Sequence, residues 1–167
     1  YSYGQYIIGG LGLRSILHAT GRPCAMPKVE VPPGTDAVTF HHNLPKDLKL
    51  PLIQCEYKLK DQTTLVTLKA VAIVAVAEEF NLAYLSEVTI TQGSRTFRYA
   101  PTEPFKVIWA GDLNDDGITD FVTSEDTSHV SGASHTINLM MSQQPNDSEM
   151  NSNLYYKNVA QFSTPGC

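Results

Sequence analysis

The sequence predicts a mainly β fold: an antiparallel sandwich or partly closed barrel with one or two short helices, with residues 1–167 forming a single β-rich domain. Three observations carry this. Apolar and polar residues alternate over many short stretches, the period of a half-buried strand. Hydroxyls stand where charges would be: there are 15 Thr and 12 Ser, while charged residues make up only 17% of the chain, against roughly 25% in an average soluble domain. Turn-forming clusters separate the apolar stretches at strand-length intervals.

The elements follow in order. The N-terminal stretch is apolar but interrupted by Gly4, Gly9, Gly10 and Gly12, and reads as a loosely ordered or tightly turning strand segment. Gly10-Leu11-Gly12 is a fragment of a dinucleotide fingerprint without its third Gly or a βαβ unit. Pro23, Pro27, Pro32, Pro33, Pro45 and Pro51 suit loops and edge strands. Ile53, Cys55, Tyr57 and Leu59 alternate with Gln54, Glu56, Lys58 and Lys60, a half-buried strand ending at Asp61-Gln62. Residues 65–76 read as a long strand with Val66, Leu68, Ala70, Ala72, Val74 and Val76 in one register, with a helix as the alternative that the Ala content allows. Residues 78–85 are the expected short helix or helical turn. Residues 87–91 and 96–99 flank Gln92-Gly93-Ser94 as a hairpin. Residues 105–110, 118–123, 136–142 and 154–162 complete the predicted strands, with a polar linker over 142–153.

The net charge of −5 is unevenly spread. From Val107 to Tyr156 there are eight acids and no Lys or Arg. A nucleic-acid partner would need a basic face, so none is expected. The longest apolar run, Ala70 to Ala77, is far short of the roughly 20 residues that cross a bilayer, so no transmembrane segment is expected either. The chain opens on Tyr1 without a signal-peptide pattern and reads as a mature or trimmed product.

Inside the acidic half, residues 112–120 read Asp112-Leu113-Asn114-Asp115-Asp116-Gly117-Ile118-Thr119-Asp120. Oxygen side chains fall at positions 1, 3, 5 and 9, with Gly at position 6, as in an EF-hand calcium loop. A hard divalent ion takes six to eight oxygens, and alternate residues of a tight loop can turn inward around it. The predicted ligands are Asp112, Asn114, Asp116, the Ile118 carbonyl and Asp120. Gly117 is expected at the sharp turn, where a Cβ would obstruct. Asp115 is expected to face solvent and the Ile118 side chain to return to the core. Position 12 is Thr123 rather than a bidentate Glu, so the remaining ligand is expected from Asp126, Glu125 or water. Strand-like sequence on both sides makes this a strand–loop–strand site. Trp109 is expected to plug the core beneath it.

Residues 109–122, from Trp109-Ala110-Gly111-Asp112 to Asp120-Phe121-Val122, resemble the calcium loop of FG-GAP/VCBS-type bacterial repeats, which joins two strands. Copies in those families recur as propeller blades; here there is one. With the strand at 137–142 and the terminal Gly166-Cys167, the stretch 105–167 is similar to exported bacterial proteins. The resemblance implies calcium binding outside the cytoplasm.

Other constellations carry less. His18, His41, His42, His129 and His135 include no HExxH pair. Ser131, Ser134, His129, His135 and Asp126 could supply a Ser/His/Asp set, but no nucleophile elbow marks a serine. Glu78-Glu79 suits a solvated turn. Tyr155-Tyr156 suits an interface patch, or one core and one exposed ring. Cys24 and Cys167, both in loop-like segments, are the expected disulfide, with Cys55–Cys167 as rival. The sequence thus predicts a calcium-binding, non-catalytic module in the periplasm or secreted. Its partner is expected to be a protein or glycan, in adhesion, assembly or toxin inhibition as by an immunity protein. The alternative is a secreted hydrolase with an unrecognised catalytic site.

Overall fold

The computed structural model describes residues 17–76, 81–127, 134–143 and 153–164. Two antiparallel sheets face each other as a sandwich. The first contains β1 (Leu17–His18), β2 (Cys24–Ala25), β7 (Phe105–Asp112), β8 (Asp120–Thr127), β9 (Ser134–Gln143) and β10 (Tyr155–Thr164). Its strands run β1-β7-β8-β9-β10, with β2 also on β7. The second runs β3-β4-β5-β6: β3 (Leu52–Leu59), β4 (Gln62–Val76), β5 (Asn81–Gln92) and β6 (Arg95–Tyr99).

The core lies where the inward faces meet. Tyr57, Val66, Leu68, Val88 and Ile90 from the four-stranded sheet pack with Phe105, Val107, Ala110, Phe121 and Met140 from the other. Phe121 is fully buried. Its ring meets Tyr57 edge-on at 5.7 Å and tilts against Tyr156 at 5.8 Å. The alternation of β3 falls as expected: Tyr57 and Leu59 are buried, while Gln54, Glu56 and Lys58 are exposed.

Several expectations change. The single register through β4 breaks at a bulge between Ala70 and Ala72. Val66, Leu68 and Ala70 face in, Val71 is exposed, and Ile73 becomes the next buried residue. One extra unpaired residue flips every later side chain. Residues 81–85, assigned to a helix, are strand in β5, where the long β4 partner overrides local preference. Residues 78–80 lie outside the described residues, as do the glycine-broken segment 1–16 and residues 144–152 of the linker. The one described helix, α1 (Ala37–His42), falls in the Pro-punctuated stretch instead. Asp36 caps it: Oδ1 accepts the Thr39 amide at 2.9 Å and Oδ2 accepts the Thr39 hydroxyl at 2.7 Å.

Trp109 does not plug the core. Its indole N–H donates to His18 Nδ1 at 2.8 Å, out at the β1 edge. Gly111 is required there, because a Cβ would collide with the Leu17 carbonyl and the Trp109 ring. Of the two described cysteines, Cys24 pairs with Cys55, not Cys167. Cys55 stands on the inward side of β3, and β2 places Cys24 close enough to bridge it. The bond thus ties the β2 edge of one sheet to the other sheet.

Reduction removes a constraint on a loop with sequence separation 31, worth about 3–4 kcal/mol in the chain-entropy model. Non-reducing peptide mapping should recover a Cys24–Cys55 peptide, and denaturant melts should show a loss of that size under reductant. Burial, then the Glu125 carboxylate, pushes the Tyr99 phenol up to about 12; the hydroxyl donates to Glu125 Oε1 at 2.8 Å. Between pH 10 and 12 the folded chain holds a proton that the unfolded chain has lost, so stability falls as pH rises across that window. Tyr99→Phe should make this slope shallower in alkaline urea melts, leaving the part that the Tyr57 and Tyr156 phenols contribute.

Candidate metal centre

The 112–120 loop joins β7 to β8 at one end of the sandwich. It turns tightly because two residues adopt left-handed backbone: Asp115 at φ 59° and Gly117 at φ 78°. Asp tolerates that region and Gly enters it freely. A Cβ on Gly117 would meet nothing within 4 Å. Backbone conformation, not obstruction, therefore explains the glycine.

Asp112, Asn114 and Asp116 meet at the loop amides, and Asp120 is linked to Asp116 through Ser142. Asp112 is buried at the end of β7; its Oδ2 accepts the Gly117 amide at 2.9 Å and its Oδ1 the Asp116 amide at 3.2 Å. Asn114 Oδ1 lies 3.3 Å from the same Asp116 amide, and its Nδ2 donates to Asp116 Oδ2 at 3.1 Å. Asp116 Oδ1 accepts the Ile118 amide at 2.8 Å. Asp120 has no exposed surface. Its Oδ2 accepts the Leu113 amide at 2.8 Å. The Ile118 side chain joins the core and Asp115 is exposed, both as expected. Of the suggested further ligands, Glu125 is engaged by Tyr99; the Asp126 side chain lies outside the described residues. Residues 128–133, with His129 and Ser131, also lie outside them.

Partners from both sheets hold the loop. Ser142, buried near the end of β9, donates its amide to Asp120 Oδ1 at 2.8 Å. Its hydroxyl lies 2.8 Å from Asp116 Oδ2 and 2.9 Å from Asp120 Oδ1. The β8–β9 ladder ends at Phe121↔Met140, so the Asp120 carboxylate takes the Ser142 amide beyond the last strand pair. Tyr156 on β10 donates its phenol to the Thr119 carbonyl at 2.9 Å. From the other sheet, the Thr64 hydroxyl meets the Thr119 hydroxyl at 3.0 Å, and Gln92 Nε2 donates to the Gly117 carbonyl at 3.3 Å. The loop therefore spans both layers.

Sequence reasoning missed Ser142, Gln92, Tyr156 and Thr64. One signal was available. Thr136, Asn138 and Ser142 share the inward face of β9 with Met140, and polar residues on a buried face need partners.

The electrostatics are those of concentrated negative charge. Burial raises the Asp120 pKa, the Leu113 and Ser142 hydrogen bonds lower it, and the Asp116 charge raises it. Burial, then Asp120 and Asp116, pushes the Tyr156 phenol well above its ordinary value. Among the described residues no three His, Cys, Asp or Glu side chains form a ready-made metal cage. The loop carboxylates instead close onto amides and Ser142. Each carboxylate nevertheless offers about four lone-pair positions. Asp112 accepts one bond on each oxygen; Asp116 and Asp120 each meet three donor groups, the Ser142 hydroxyl being shared between them. The unused acceptor capacity is all oxygen, the donor chemistry of a hard cation such as calcium. In donor type and charge the residues fit that ion.

No family model, curated protein or solved structure matches this chain.

Removing the Asp120 carboxylate strands the buried Ser142 amide and the Leu113 amide. Each charge-assisted bond is worth about 1.5–3 kcal/mol. Asp120→Ala should cost about 3 kcal/mol or more in chelator, by denaturant melts. Asp115→Asn, exposed and tolerant of the left-handed backbone, should change stability by less than about 0.5 kcal/mol.

Proposed function

We propose that the protein is an exported, calcium-binding, non-catalytic module that binds a protein or glycan outside the cytoplasm, in adhesion, assembly or toxin inhibition. One observation carries the calcium part. Asp112, Asn114, Asp116 and Asp120 gather at a tight loop in a stretch of the chain without Lys or Arg. Carboxylates packed this closely repel one another, and a divalent cation converts that repulsion into attraction. The relation to FG-GAP/VCBS-type exported proteins belongs to this proposal and rests on the quoted loop residues.

The Cys24–Cys55 bond supports a periplasmic or secreted location, since disulfides persist in oxidising compartments. Among the described residues no helix is long and apolar enough to cross a membrane. Exposed Ile137, Val159 and Phe162 on β9 and β10 offer apolar surface to a protein partner. The hydrolase alternative draws Ser131 and His129 from outside the described residues, and nothing in the described geometry favours it over binding.

Calcium should raise the melting temperature, because a ligand that binds only the folded chain stabilises it by mass action, about 2.7 kcal/mol at a hundredfold excess over Kd. Magnesium should do less, since it prefers a small, strictly octahedral site. Asp112→Ala or Asp116→Ala should abolish the calcium shift. Gly117→Val should weaken calcium binding more than Asp115→Ala, by calorimetry, because its backbone lies where a β-branched residue is strained. An identical melting curve in chelator and in millimolar-range calcium would sink the calcium reading.

A further inference from the structure

The loop supplies side-chain oxygens at four positions, yet the residue that would close an EF-hand loop, Thr123, lies well inside β8. It pairs with Val107 and Asn138 and its buried hydroxyl has no partner. Something else must fix the far side of the loop, and Ser142 has the right contacts. Its amide donates to Asp120, its hydroxyl reaches Asp116 and Asp120, and its carbonyl accepts from Asn114 Nδ2 at 3.4 Å. All three polar groups of this residue thus meet predicted cation ligands.

The hydroxyl contacts carry the argument. A serine hydroxyl has one hydrogen and two lone pairs. It stands 2.8 Å from Asp116 Oδ2 and 2.9 Å from Asp120 Oδ1. It can donate to only one carboxylate at a time, so with both carboxylates ionised the other contact sets oxygen lone pairs against each other. A divalent cation drawing on both carboxylates offsets that repulsion, while the hydroxyl holds their spacing.

We propose that Ser142 is the positioning residue of the cation site: it sets the separation of Asp116 and Asp120 and transmits cation binding from the loop into β9. It acts through those carboxylates and is not itself required as a ligand. The inference rests on the calcium reading of the loop. It places part of the site on a strand that no loop motif includes, so calcium loading should be felt near the β9 end as well as in the loop.

The test is calcium titration of the full chain by calorimetry, comparing wild type, Ser142→Ala and Thr136→Ala. Thr136 is the control: it lies on the same strand, and its hydroxyl pairs with Ser163 at 3.1 Å, away from the loop. Residues that orient metal ligands typically contribute about 10–100-fold to affinity. Ser142→Ala should weaken calcium binding about tenfold or more and shrink the calcium-induced rise in melting temperature. Thr136→Ala should keep wild-type affinity. In wild type, calcium should slow hydrogen exchange at the Ser142 amide, a readout that stands even if Ser142→Ala does not fold. Unchanged affinity in Ser142→Ala overturns the proposal, as do equal losses in both variants or an indifferent Ser142 amide. If wild type binds no calcium, the calcium reading fails and takes this inference with it. If wild type binds and Ser142→Ala binds equally well, only this inference fails.

Discussion

A buried carboxylate constrains this end of the molecule more than any other group. Asp120 has no exposed surface, and the charge that acts on it is that of another carboxylate, Asp116. Burying such a group is costly unless its lone pairs are filled. The Leu113 and Ser142 amides fill them, and the Ser142 hydroxyl, shared with Asp116, is the third partner. Meeting that requirement fixes the start of β8, the fold of the 112–120 loop and the end of β9 together.

The same loop is also the seam between the layers. Ile118 enters the core, Thr119 meets Thr64 of the opposite sheet, and Gln92 reaches the Gly117 carbonyl. The Tyr156 phenol closes the remaining side. A change in loop charge therefore acts on both sheets, not on a surface appendage. This distinguishes the loop from a solvated acidic turn, whose charges would face water and leave the core untouched. A cation bound there would stabilise the sandwich by drawing together carboxylates that otherwise depend on amides and one hydroxyl.

Much of the fold was legible because period-2 alternation is a local signal. β3 reads directly from Ile53 to Lys60, and the β5–β6 hairpin from Gln92-Gly93-Ser94. Most of what failed was set by distant partners. The bulge at Ala70 and Ala72 belongs to the pairing of β4 with β5 and leaves no mark in an apolar run. The α1 helix announces itself through Asp36 and Thr39, a cap concealed among prolines. The Cys24–Cys55 pairing depends on two edges meeting in space, which loop-like surroundings did not indicate. In the candidate site, spacing alone located Asp112, Asn114, Asp116 and Asp120. Ser142 lies 22 residues beyond Asp120 and comes into contact only through strand pairing.

The central claim is that these loop oxygens hold a calcium ion. The most direct test is the anomalous scattering of a crystal grown in calcium. The account predicts one peak within the 112–120 loop, about 2.3–2.6 Å from oxygens of Asp112 and Asp116. A calcium-saturated crystal with no peak at the loop, and with the Asp112 and Asp116 carboxylates still closed onto the loop amides, would contradict it.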